Sequence, residues 1–231
     1  MKTLSKAIAI ASLVSASALT AQMAQAEVEV SASVAASNMY LWRGTDLGAT
    51  ALDTDADNEA DLHGGTPAIS GDLSVSMGGA YGGVWASSGD IAGGNEYDLY
   101  VGYGLEAGPV AIDASVWTYV YPSAASDTMF DLTEVVVSAS VADASVTLYE
   151  TVTGNSDDYR YVTLGYGAGD FSATVGLSMS DDESDEYTHV DLGYAYSENL
   201  SFTFSQVVDQ KLDGSVDDSL KTVVTLSLPI K

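Results

Sequence analysis

After residue 26 the sequence falls into twelve short segments of alternating polarity, joined by connections that are tight and long in turn. Each segment runs for about ten residues with an apolar side chain at every second position, the period of a half-buried strand rather than of a helix. Met77-Gly78-Gly79-Ala80, Glu106-Ala107-Gly108-Pro109, Ala142-Asp143-Ala144, Gly167-Ala168-Gly169-Asp170 and Ser197-Glu198-Asn199 have the composition of tight turns. Between them lie longer, more acidic connections, the first from Thr45 to Ser70. Short turns on one rim and long loops on the other are the organisation of an antiparallel up-and-down transmembrane β-barrel. The chain is therefore expected to be all-β, with about twelve strands.

The N-terminus has the pattern of a secretory signal. Lys2 and Lys6 supply positive charge, residues 7–19 are apolar and small, and Ala24-Gln25-Ala26 forms an A-x-A site. Residues 1–26 are expected to be a cleaved signal peptide and residues 27–231 a single barrel domain. The apolar stretch is too short for a spanning helix, which needs about 20 residues. No later stretch is long enough either, so a membrane could be crossed only by a closed barrel. Removing Lys2 and Lys6 leaves 5 basic side chains against 33 acidic ones, a formal charge of −28. That charge excludes a nucleic-acid partner, which would need a basic face. With no cysteine there are no disulfides and no thiolate sites.

The alternation assigns faces. Tyr97, Leu99, Val101, Tyr103 and Leu105 oppose Asp98, Tyr100, Gly102 and Gly104. Val110, Ile112, Ala114 and Val116 oppose Asp113, Ser115 and Trp117, and Val135, Val137 and Ala139 oppose Glu134, Val136 and Ser138. Further on, Val190, Leu192 and Tyr194 oppose His189, Asp191 and Gly193. The apolar set is assigned to lipid and the polar set to the lumen, where Gly102, Gly104 and Gly193 would leave space. The first strand is expected over Glu27–Arg43. Two aromatic belts are expected. Tyr40, Trp42, Trp85, Tyr97, Tyr121, Phe130, Tyr159 and Tyr187 fall at the loop rim, and Tyr81, Tyr103, Tyr166, Phe171, Tyr194 and Phe202 at the turn rim.

Ser37-Asn38-Met39-Tyr40-Leu41-Trp42-Arg43-Gly44 is similar to the first-strand motif of the TorF-like family of proteobacterial porins. Pro67-Ala68-Ile69, the stretch Tyr81-Gly82-Gly83-Val84-Trp85-Ala86-Ser87-Ser88, Glu96 to Tyr103, and Tyr119-Val120-Tyr121-Pro122 match further pieces in order. The resemblance implies an outer-membrane porin with no established substrate. The chain departs from it in the acidic run Asp53 to Asp61. It also ends in Leu228-Pro229-Ile230-Lys231, where most such barrels offer the assembly machinery a terminal aromatic residue.

Candidate pore-lining residues are Arg43, Asp98, Asp113, Glu134, Glu150, Arg160 and Asp191. Charges facing lipid cost about 2–4 kcal/mol at the midplane, which directs these side chains inward. Arg43 and Arg160 are the only arginines, and Arg43 is expected to meet Asp98 or Glu134. Asp53, Asp55 and Asp57 place oxygen ligands at alternate positions, as a hard cation prefers, but the run lacks the glycine and terminal glutamate of an EF-hand. They are a weak candidate site, with a solvated acidic loop as the simpler reading. His63 and His189 are the only histidines, and no nucleophile–base set is evident. The expectation is a bacterial outer-membrane porin, not an enzyme and without a cofactor. It would pass small, preferentially cationic solutes, with outer-membrane lipid and the barrel-assembly machinery as partners. The alternative is a non-conducting structural or adhesin-like barrel with acidic loops.

Overall fold

A computed structural model describes residues 27–48, 50–52, 61–63, 66–122 and 129–230. Twelve strands close into a barrel: β1 (Glu29–Ser37), β2 (Ala68–Met77), β3 (Ala80–Asp90), β4 (Gly94–Ala107), β5 (Val110–Val120), β6 (Leu132–Val141), β7 (Ala144–Thr153), β8 (Arg160–Ala168), β9 (Phe171–Met179), β10 (Tyr187–Ala195), β11 (Leu200–Gln210) and β12 (Lys221–Ile230). Each strand pairs antiparallel with its sequence neighbours, and β1 closes on β12 with Ala32 opposite Ile230 and Ser37 opposite Thr225. Closure leaves the ring without an open edge, so its backbone groups are satisfied between neighbours.

The connections sort between the two rims largely as the sequence predicts. Residues 78–79, 108–109, 142–143, 169–170 and 196–199 turn at one rim, where β1 starts and β12 ends. The other rim carries 38–67, 91–93, 121–131, 154–159, 180–186 and 211–220. The second of these is short, contrary to expectation. β3 and β4 extend their ladder to Asp90 opposite Gly94, past a register shift after Ser87. Residues 1–26, expected as a signal peptide, and the Asp53, Asp55 and Asp57 run lie outside the described residues. Thr50–Leu52 and Asp61–His63, which flank that run, pair antiparallel.

Polarity is inverted relative to a soluble barrel. Val30, Leu73, Val75, Leu99, Val101, Leu105, Val137, Leu164, Leu192 and Leu226 are exposed on the outer wall. Ser115, Glu134, Thr174, Asp191, Thr203, Ser205 and Thr225 are buried inside.

The aromatic belts differ from expectation at one rim. At the turn rim Tyr103, Tyr166, Phe171 and Tyr196 are exposed, and Phe171 stacks on Tyr194 with centroids 4.9 Å apart. Tyr81 is the exception there and turns inward to Asp113. At the loop rim only Tyr97 and Phe130 of the expected set are strongly exposed. Tyr40 and Tyr187 are buried, Tyr121 bonds a lumen glutamate, and Trp85 shares its face with Asp72 and Asp98. Those aromatic side chains serve the interior, for a reason set by the segment after β1.

Candidate functional site

The first strand ends at Ser37, six residues short of the expected Arg43. Asn38 clips the chain to β12: its side-chain Nδ2 donates to the Thr222 carbonyl (3.0 Å), and its Oδ1 accepts from the Val224 amide (2.6 Å). From there the chain leaves the wall. Leu41-Trp42 pairs with Thr45-Asp46, and the Leu47 amide donates to the Tyr40 carbonyl at 2.9 Å. Arg43 and Gly44 form the turn of this hairpin, with φ +47° and +84°. Positive φ at both central residues is the signature of a type I′ turn, which glycine adopts freely and arginine only with strain. Met39 and Leu41 bury against Val223 of β12. The hairpin tip reaches β6, β8 and β10, with β7 directly across the ring from β1. It bridges the loop-side mouth.

The tip is held by its arginine. Arg43 Nη2 lies 2.9 and 2.7 Å from the two Glu134 carboxylate oxygens, and the two side chains are 7% and 3% exposed. The same carboxylate accepts from Tyr119 (2.7 Å) and Thr151 (3.1 Å). Four rings surround the guanidinium, at 4.6 Å for Trp42, 4.7 Å for Tyr161, 5.1 Å for Tyr149 and 5.5 Å for Tyr159. Cation–π attraction is strongest where water is excluded, as it is here. The Tyr187 hydroxyl donates to the Arg43 carbonyl at 2.9 Å, which holds the strained residue in place. Gly44 lies on His189: a Cβ at Gly44 would sit 2.5 Å from His189 Cγ.

Tyrosine hydroxyls serve the other lumen carboxylates. Tyr40 (2.5 Å) and Tyr121 (3.1 Å) donate to Glu96, Tyr100 donates to Asp72 at 2.7 Å, and Tyr81 donates to Asp113 at 2.8 Å. Asp191 receives His189 Nδ1 at 2.9 Å, and the Tyr161 hydroxyl meets Nε2 at 2.6 Å. Asp98 is different: it is fully buried and interacts directly with the Glu96 carboxyl on the same face of β4. A hydroxyl partner stabilises a carboxylate without cancelling its charge.

Of the sequence candidates, Arg43, Asp98, Asp113, Glu134 and Asp191 face inward, and Arg43 takes Glu134 rather than Asp98. Glu150 and Arg160 do not line the lumen. They flank the inward Tyr149 and Tyr161, so alternation turns them outward, where they pair with each other at 3.2 Å while 37% and 46% exposed. They sit at the loop rim, where the cost of a charge falls to about 0–1 kcal/mol. Gly102 leaves no open space, because the Tyr81 ring lies over it. The hairpin, Glu96 and the tyrosine donors escaped the sequence reading. The Arg-Gly pair was the available turn signal, and the excess of tyrosine (14) over phenylalanine (4) was the signal for the donors.

At the loop-side rim, a cleft of about 400 Å³ is lined by Thr45, Asp46, Ser184, Asp185, Tyr187, Ser215, Val216 and Asp217. Its acids differ. Burial and the charges of Asp182 and Asp157 push the Asp185 carboxyl up. Burial also acts on Asp217, but bonds from the Ser219 amide and hydroxyl, together with Lys221, outweigh it and hold that carboxyl below its usual range.

Residues 21–225 match the model of a family described as a bacterial protein of unknown function, Gcw_chp, and the chain belongs to that family. No curated protein matches it.

Proposed function

We propose that this protein is an outer-membrane barrel that passes small solutes, preferentially cations, through a lumen narrowed at its loop-side mouth by the 41–46 hairpin. The observation that carries the reading is the inverted polarity: an apolar, exposed outer wall around an interior lined by Asp72, Glu96, Asp98, Asp113, Glu134 and Asp191. An apolar wall suits lipid, and the exposed tyrosines and phenylalanine at the turn rim suit its interface. The inward cations among the described residues are Arg43 and Lys221, and both already pair with carboxylates. Dipoles and unbalanced negative charge in a narrow lumen favour cations and repel anions. The signal sequence and the similarity to TorF-like porins support the same location and role.

A second reading, a non-conducting barrel, is favoured by the hairpin that bridges the mouth. Recording purified protein in planar bilayers separates the two. Gly44→Val places a side chain against His189 and unseats the hairpin, so its unitary current should exceed that of the wild type. Silence from both proteins, each folded by heat-modifiable gel mobility, would favour the non-conducting barrel.

A further inference from the structure

The box around the Arg43 guanidinium is built mostly from the barrel wall. Glu134 and Thr151 stand on β6 and β7, Tyr119 on β5, Tyr149 on β7 and Tyr161 on β8, with Tyr159 just before β8. Only the cation and Trp42 arrive on the hairpin. When the hairpin lifts, the wall keeps three tyrosine rings facing a carboxylate that is already oriented by two hydroxyl donors. Such a box recognises a planar or alkylated cation by ring faces on several sides and a charge-assisted bond on one. Close by, Asp98 is buried, and Glu96 shares its face.

We propose that this box is a binding site for small guanidinium or alkylammonium solutes, and that Arg43 occupies it as a tethered competitor. The inference rests on the reading of the lumen as a cation path and names the class of cation it selects. A passing organic cation would take the place of Arg43 and release the hairpin tip, whose positive-φ turn and burial on His189 depend on that anchor. Sodium and potassium, strongly hydrated and spherical, gain less from the rings and would not compete.

The test uses full-length mature protein in detergent and reads binding without current. Arg43→Ala and Arg43→Gln empty the box. Low-millimolar guanidinium chloride should raise the unfolding midpoint of both variants saturably, whereas sodium chloride at equal ionic strength should not. The wild type, with its box filled, should need at least tenfold more guanidinium for the same shift. Adding Glu134→Gln or Tyr161→Leu to Arg43→Ala should abolish the response. If neither single variant folds in sodium, refolding yield is compared in the two salts: rescue by guanidinium supports the site, and equal failure overturns it. Identical midpoints in the two salts also overturn it and would make Arg43 a structural anchor only. A barrel that conducts without binding loses this proposal alone. One that binds without conducting loses only the path.

Discussion

Arg43 shows how much can rest on one side chain. Its guanidinium is removed from water, and the cost is met by a carboxylate, four rings and a carbonyl clamp. Removing one partner of such a pair strands the other charge and costs about 3–5 kcal/mol. Arg43→Ala should therefore lower the unfolding midpoint clearly. Lys211→Ala breaks only the exposed pair with Glu186 and should stay within about 1 kcal/mol of wild type. Heat-modifiable gel mobility measures both, and equal midpoints would place Arg43 among surface residues. Asp217 makes a different prediction, since its folded-state carboxyl lies below the usual value. A depressed acid contributes stability that is present above its unfolded value and lost as pH falls through the folded one. Proteolysis of the 211–220 loop should therefore rise as pH drops below about 4, the range in which an unperturbed aspartate titrates. Asp217→Asn should flatten that dependence, and an unchanged profile would remove the residue from the loop's anchoring.

At the scale of elements, the alternation in the sequence carried the barrel, the strand count and the faces of β4, β5, β6 and β10, because a period of two leaves little freedom in a wall with lipid-like residues on one side. The hairpin after β1 was not legible. Its Tyr40 and Trp42 continue the apolar parity of Val28, Val30 and Val34, so the pattern hides the point where the chain leaves the wall. Only the backbone demand of the Arg-Gly turn marks it, and that demand shows as a positive φ, not as polarity. The same limit explains Glu150 and Arg160. A rule that sends charges inward holds at the midplane and fails at the rim, where they pair in the open. Loss of the seated hairpin should be visible to trypsin. In the folded wild type the bond after Arg43 is buried and should resist cleavage, and in Gly44→Val it should be cut early, with a fragment starting at residue 44. Equal resistance would mean that the hairpin tolerates the added side chain and stays seated.

At the scale of the molecule, one sheet has two unlike faces: valine and leucine outward, carboxylates held by tyrosine hydroxyls inward. Stability and selectivity then come from different faces and respond to different changes. Substituting the outer wall with lysine near mid-strand, for example at Val101 or Leu164, should prevent insertion by about 2–4 kcal/mol per site while leaving the lumen chemistry intact. The central claim is that the inner face sets a negative field for solutes crossing the barrel. Its most direct test is the zero-current potential of the wild type in a potassium chloride gradient across a planar bilayer. The account predicts a potential with the sign of cation preference, weakening as total salt rises and screening shortens the reach of the carboxylates. A potential near zero at low salt, or one of the opposite sign, would contradict it.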